Sequence, residues 1–140
     1  MCGELEQARL ENSDFDPRTI TTIVVDDSSF MLEGIGRLLQ KIEGVEVRGT
    51  ASDGIEGVNL AVAICPDLVL MDFQMPHMDG LTAARLIREA HPDVKIILIT
   101  AHDIDAVRRH AFVSHVDDVL CKQQLPSRLA DTIRELFADS

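Results

Sequence analysis

The stretch Leu68–Gly80, LVLMDFQMPHMDG, runs four aliphatic residues into a carboxylate, then a Met-Pro, a histidine and an Asp-Gly. An unbroken aliphatic run suits a strand buried on both faces, as in a parallel sheet, whereas a half-buried strand alternates. Asp72 stands where such a strand leaves the core. Similar runs recur at Thr21–Val25 (TTIVV), Val45–Ala51 (VEVRGTA), Lys95–Ile99 (KIILI) and Val116–Cys121 (VDDVLC). VEVRGTA alternates, as an edge strand does.

Helical patterns separate the runs. Met31, Ile35, Leu38, Leu39 and Ile42 fall on one apolar stripe, with Ser28 or Ser29 as N-cap and Gly44 past the end. Asp53 precedes a second helix that Pro66 stops, and Asp79 precedes a third with Pro92 beyond it. His102 or Asp103 opens a fourth, and Pro126 begins a fifth in the first-turn position that proline favours. Five strand–helix units in succession predict an α/β fold. It is a single doubly wound, five-stranded parallel sheet, (βα)5, with right-handed crossovers.

The chain has 140 residues, enough for one domain with one core. Apolar residues make up 46% with no Trp or Tyr, so that core is aliphatic. A formal net charge of −11 argues against direct nucleic-acid binding, which needs Lys/Arg clusters. It suits a cation site or a basic partner, although a solvated acidic surface explains most of the charge. No stretch approaches a membrane span. Residues 1–19 read as an acidic, flexible leader without the basic start and apolar block of a signal peptide. Of the three cysteines, Cys65 and Cys121 sit in apolar surroundings and read as small core residues. Their number and spacing match no metal motif, and reduced thiols of a cytoplasmic protein are the natural inference.

Ligands of open α/β sheets bind beyond the carboxyl ends of the strands. Asp26 and Asp27 follow the first predicted strand, Asp72 the third, Thr100 the fourth and Lys122 the fifth. Parallel strands bring these residues to one rim. Three carboxylates there repel one another, and a hard cation such as Mg2+, which takes oxygen ligands, removes that cost. Asp72 is then a nucleophile for a phosphoryl group, with the Lys122 ammonium and the Thr100 hydroxyl addressing the phosphoryl oxygens.

IVVDDSSFML (23–32), DLVLMDFQMPHMDGLTAARLIR (67–88), KIILITA (95–101) and VLCKQQLP (119–126) together resemble the receiver domain of bacterial two-component response regulators. The resemblance covers residues 20–139. It implies the flavodoxin-like strand order 2-1-3-4-5, with Asp72 as phosphoacceptor and Asp26 and Asp27 as the acid pair. The Gln74 backbone carbonyl would complete the Mg2+ ligands, Thr100 would be the switch hydroxyl and Lys122 the phosphate-binding lysine. It implies a sensor histidine kinase or phosphotransfer protein as donor, a cytoplasmic location, and a homodimer through the fourth-helix to fifth-strand face as one output arrangement.

Two positions depart from the family pattern. Val119 stands where many receivers carry an aromatic residue whose rotation reports phosphorylation. Gln123 replaces the proline that often follows the lysine, so a trans bond is expected. Receivers with attached helix-turn-helix domains often lack that proline too, and they are the subgroup this chain most resembles. Ser140 falls where a linker would begin. That favours a receiver from a longer protein over a single-domain regulator.

Two other functions compete with the phosphorylation switch. An Asp-nucleophile phosphatase would use Asp-x-Asp, but Asp72-Phe73-Gln74 lacks the second acid. A pseudo-receiver that only docks would lack the acid pair, acceptor or lysine, and all are present. Met75 and Met78 read as loop packing and Pro76 and Gly80 as turn residues. The five histidines show no metal spacing and default to the surface, save His102, placed near the rim where it would order or block water. Arg108, Arg109 and His110 form a small basic patch.

Overall fold

The structure, a computed structural model, describes residues 19–101, 104–113 and 116–138, with the backbone alone at 108 and 110–113. Five strands alternate with five helices in chain order. They are β1 (Ile20–Val25), α1 (Ser29–Gln40), β2 (Val45–Ala51), α2 (Gly54–Ile64), β3 (Leu68–Asp72), α3 (Gly80–Ala90), β4 (Lys95–Thr100), α4 (Ile104–Val113), β5 (Asp118–Cys121) and α5 (Leu125–Leu136). A short 3-10 turn, Lys122–Gln124, joins β5 to α5. The sheet order is β2-β1-β3-β4-β5 and every pair is parallel, as expected.

Alternate residues of each central strand enter opposite apolar layers. Ile23, Val25, Val69, Met71, Ile96, Leu98 and Val119 pack with Ala61 of α2, Ala83, Ala84 and Ile87 of α3, and Val107 of α4. Val24, Leu68, Leu70, Ile97, Ile99 and Leu120 pack with Ile35 and Leu39 of α1 and Leu125, Leu129 and Ile133 of α5. Both faces are covered, which is why the central strands read as continuous aliphatic runs. Strand β2 lies at the edge, and its residues alternate between half-buried and exposed up to Ala51.

Three helix starts follow the predicted caps. Ser28 Oγ accepts from Met31 N at 3.3 Å, Asp53 Oδ1 from Glu56 N at 2.7 Å, and Asp79 Oδ1 from Thr82 N at 2.8 Å. Gly44 takes a φ of 86°, so glycine is suited to the turn into β2. No described helix is long and apolar enough to cross a membrane.

Several expectations need correction. Strand β5 begins at Asp118 rather than Val116. The Asp117 carboxylate accepts from Ile96 N at 2.7 Å and pairs with Arg88 Nη2 at 2.7 Å, which holds that residue as a loop clasp. The last helix begins at Leu125, after the 3-10 turn and one residue before the expected start, while Pro126 keeps its expected first-turn position. His91 is buried, not on the surface; a ring nitrogen, Nε2, lies 3.0 Å from the Pro66 carbonyl and links the α2–β3 and α3–β4 connections. Cys121 is a free, half-buried thiol, and Cys65 is buried, as expected of a small core residue. The leader up to residue 18, Cys2, His102, Asp103, His115 and the side chains of Arg108 and His110 lie outside what is described; Arg109 is exposed.

Candidate functional site

Strand register decides which exits meet. Val25 pairs with Met71, so the next residues, Asp26 and Asp72, leave adjacent strands side by side. Asp72 pairs with Ile99, which sets Thr100 one position further out on β4. Thr100 pairs with Cys121, and Lys122 follows directly. The predicted residues therefore come from four neighbouring strands to one rim.

One carboxylate oxygen each from Asp26, Asp27 and Asp72 lie within 4.8 Å of one another. Asp26 and Asp72 are buried, at 1% and 5% exposure, while Asp27 is exposed. Lys122 Nζ stands 3.8 Å from Asp26 Oδ2 and 3.9 Å from Asp72 Oδ1. Thr100 is buried at the end of β4. Gln74 is exposed in the loop two residues past Asp72, and its backbone N–H hydrogen-bonds the Asp72 carboxylate.

The electrostatics follow from this crowding. Burial, then the neighbouring Asp26 charge, push the Asp72 carboxyl up to about 6, against the pull of Lys122. Asp26 is also raised, first by burial, while the Ser28 N–H and Lys122 oppose the rise. One Asp26 oxygen accepts from Ser28 N at 2.9 Å, but Asp26 Oδ2 is buried with no hydrogen-bond partner among the described residues. Among the described residues a single half-exposed ammonium, that of Lys122, faces this acidic cluster, which leaves negative charge uncompensated. An orphaned carboxylate oxygen among three converging acids fits a hard, oxygen-preferring cation.

The local backbone explains the motif around Asp72. In Asp79-Gly80 the first residue caps α3, and the second lets the helix start lie against the exit of β3. A Cβ on Gly80 would collide with the Asp72 carbonyl oxygen and stand 2.9 Å from Leu98 Cδ1. Gly80 N donates to Phe73 O at 2.8 Å, closing the loop. At its outer end the loop turns at His77, with φ 72° and Met78 N bonded to Pro76 O at 2.8 Å. Met75 and Met78 pack against the core from this loop, as expected.

Two contributors escaped the sequence reading. The Ser28 N–H orients Asp26, and the Asp-x-Ser spacing of an Asx turn is the signal that would have found it. Gln124 hydrogen-bonds the backbone beside Lys122, and no spacing rule announces that.

Comparison with known proteins agrees with the geometry. A family model described as the response regulator receiver domain matches residues 22–134. The chain is 36% identical over 118 residues to protein-glutamate methylesterase/protein-glutamine glutaminase 3 of Geobacter sulfurreducens, covering 84% of this chain and 32% of that protein. It is 34% identical over 119 residues to the response regulator GacA of Pseudomonas viridiflava, covering 85% and 56% respectively. It thus spans about half or less of the length of these curated relatives. Among solved structures, a two-component response regulator of the LuxR family from Aurantimonas sp. SI85-9A1 superposes with a TM-score of 0.81 at 30% identity, over 86% of each chain.

Proposed function

We propose, from the premise that this chain belongs to the response regulator receiver domain family of two-component systems, that Asp72 accepts a phosphoryl group and thereby switches what the domain binds. The observation that carries this reading is the Lys122 ammonium, 3.8 Å from Asp26 Oδ2 and 3.9 Å from Asp72 Oδ1, two buried carboxylates on separate strands. A lysine that merely neutralised one acid would not need a third carboxylate and a buried Thr100 at the same rim.

The donor is a phosphohistidine of a sensor histidine kinase or phosphotransfer protein. The ionised Asp72 carboxylate attacks phosphorus. An oxygen–phosphorus bond forms as the phosphorus–nitrogen bond to the donor breaks, and the electron pair leaves with the imidazole, which takes up a proton. Asp26, Asp27, Asp72 and the Gln74 backbone carbonyl would hold Mg2+, which supplies positive charge for the phosphoryl oxygens. Lys122 adds a mobile point charge, and Thr100 donates its hydroxyl to a phosphoryl oxygen. The chain serves as an acceptor rather than a turnover enzyme, because the position two residues after Asp72 is Gln74, not an acid.

The switch follows from a change in contacts between two states. A phosphoryl group on Asp72 draws Thr100 and Lys122 inward and biases α4 and β5. With Val119 buried in the same apolar layer as Val107, the message passes through aliphatic packing between these elements, not through a turning ring. The domain would work in the cytoplasm, where the α4–β5 face serves a homodimer or an output partner.

The test is incubation with acetyl phosphate, with and without Mg2+. The expected result is one base-labile phosphate per chain that requires Mg2+ and is absent in Asp72→Asn. Turnover of many phosphoesters would favour a phosphatase, and metal binding without labelling would favour a docking module; either result overturns the proposal.

A further inference from the structure

We propose that Gln124 is a positioning residue for Lys122, holding the turn from which the lysine reaches the acidic cluster; this rests on the reading of Asp72 as phosphoacceptor. Lys122 is the first residue after β5, an edge strand, and opens the turn Lys122–Gln124. The N–H groups along one side of an edge strand face no neighbouring strand. At the end of β5, Gln124 Oε1 accepts from Cys121 N at 3.1 Å. The Gln124 backbone N–H in turn reaches the Cys121 side chain, so residues 121 and 124 clasp each other across Lys122. On the far side the Leu125 N–H bonds the Lys122 carbonyl. The backbone that carries the lysine is therefore pinned before and behind.

This pinning matters because of the lysine's own chemistry. Its ammonium sits on a flexible stem with a large rotamer freedom. Only the base of that stem can be fixed by the fold, and its far end must lie between Asp26 and Asp72, which come from two other strands. A displacement of about 1 Å at a positioning group costs up to about a hundredfold in rate. The half-buried Gln124 amide is the one side chain among the described hydrogen bonds that joins the turn's last residue to the strand's last N–H.

The experiment compares the intact protein with Gln124→Met, which keeps length and removes the acceptor. The readouts are the maximal rate of acetyl-phosphate labelling and the Mg2+ concentration that gives half of it. The expected result is a fall of about tenfold in the maximal rate, with half-saturating Mg2+ within about twofold because Asp26, Asp27 and Asp72 are untouched. Exchange of the Cys121 amide proton should speed up in the same variant. An unchanged labelling rate would overturn the proposal. So would a loss accompanied by an equal rise in half-saturating Mg2+, which marks collapse of the whole site. Gln124→Ala must give the same pattern, so a folding defect in one variant does not decide the matter. Failure of the unaltered protein to label would sink the acceptor reading itself, which is a different result from a labelled protein indifferent to residue 124.

Discussion

The role proposed for Asp72 puts two demands on one side chain: burial beside other acids, and availability as an ionised nucleophile. A carboxyl near ~3.9 in an unfolded chain is pushed up to about 6 in the fold, by burial first and Asp26 second. Between about pH 4 and about pH 6 the folded, cation-free protein therefore binds more protons than the unfolded chain, so its stability falls as pH rises through that window. The difference is of the order of 2–3 kcal/mol. A bound divalent cation offsets it. Mg2+ is thus expected to raise the melting temperature clearly at about pH 7.5 and far less at about pH 5, where protons compete for the site. Thermal melts with EDTA or Mg2+ check this, alongside Asp72→Asn, in which the pH-dependent loss shrinks. An equal Mg2+ effect at both pH values would contradict it. A neighbouring residue carries a separate demand. Gly80→Ala forces a methyl group against the Asp72 carbonyl and Leu98, and a loss of about 1–3 kcal/mol is expected in chemical denaturation, with slower labelling.

At the scale of elements, much was legible because burial dictates composition. Leu68–Met71 and Lys95–Ile99 are aliphatic throughout, since helices cover both sheet faces. Asp53 and Asp79 announced helix starts because their carboxylates satisfy free N–H groups there. The parts that could not be read depend on tertiary partners. Asp117 is a loop residue because Arg88, twenty-nine positions earlier, and the Ile96 N–H claim its carboxylate. His91 is buried because the Pro66 carbonyl, from another connection, meets its ring. Helix α5 holds a further feature with no sequence signal: Thr132 is 1% exposed, and its hydroxyl has no hydrogen-bond partner among the described residues. Such a group costs about 1–3 kcal/mol to bury. Thr132→Val keeps the shape and removes the hydroxyl, so it is expected to raise stability by about 1 kcal/mol in a denaturant titration. A destabilised variant would show that the hydroxyl has a use.

At the scale of the whole molecule, the sheet order turns separate signals into a site. Asp26, Asp72, Thr100 and Lys122 are far apart in sequence, and only the parallel order β2-β1-β3-β4-β5 brings their strand exits to one rim. The acidic doublet, Asp72 and Lys122 were legible as a set because each interrupts an apolar run at its end. The supporting contacts, Ser28 N–H on Asp26 and Gln124 on Cys121, were not, because they are local hydrogen bonds of common residue types. The most direct test is to label the protein with acetyl phosphate and Mg2+, reduce it with borohydride, which converts an aspartyl phosphate to homoserine, and map the peptides by mass spectrometry. The account predicts homoserine at position 72 alone. Homoserine at position 26 or 27 instead, or none anywhere in a protein that has taken up phosphate, would contradict it.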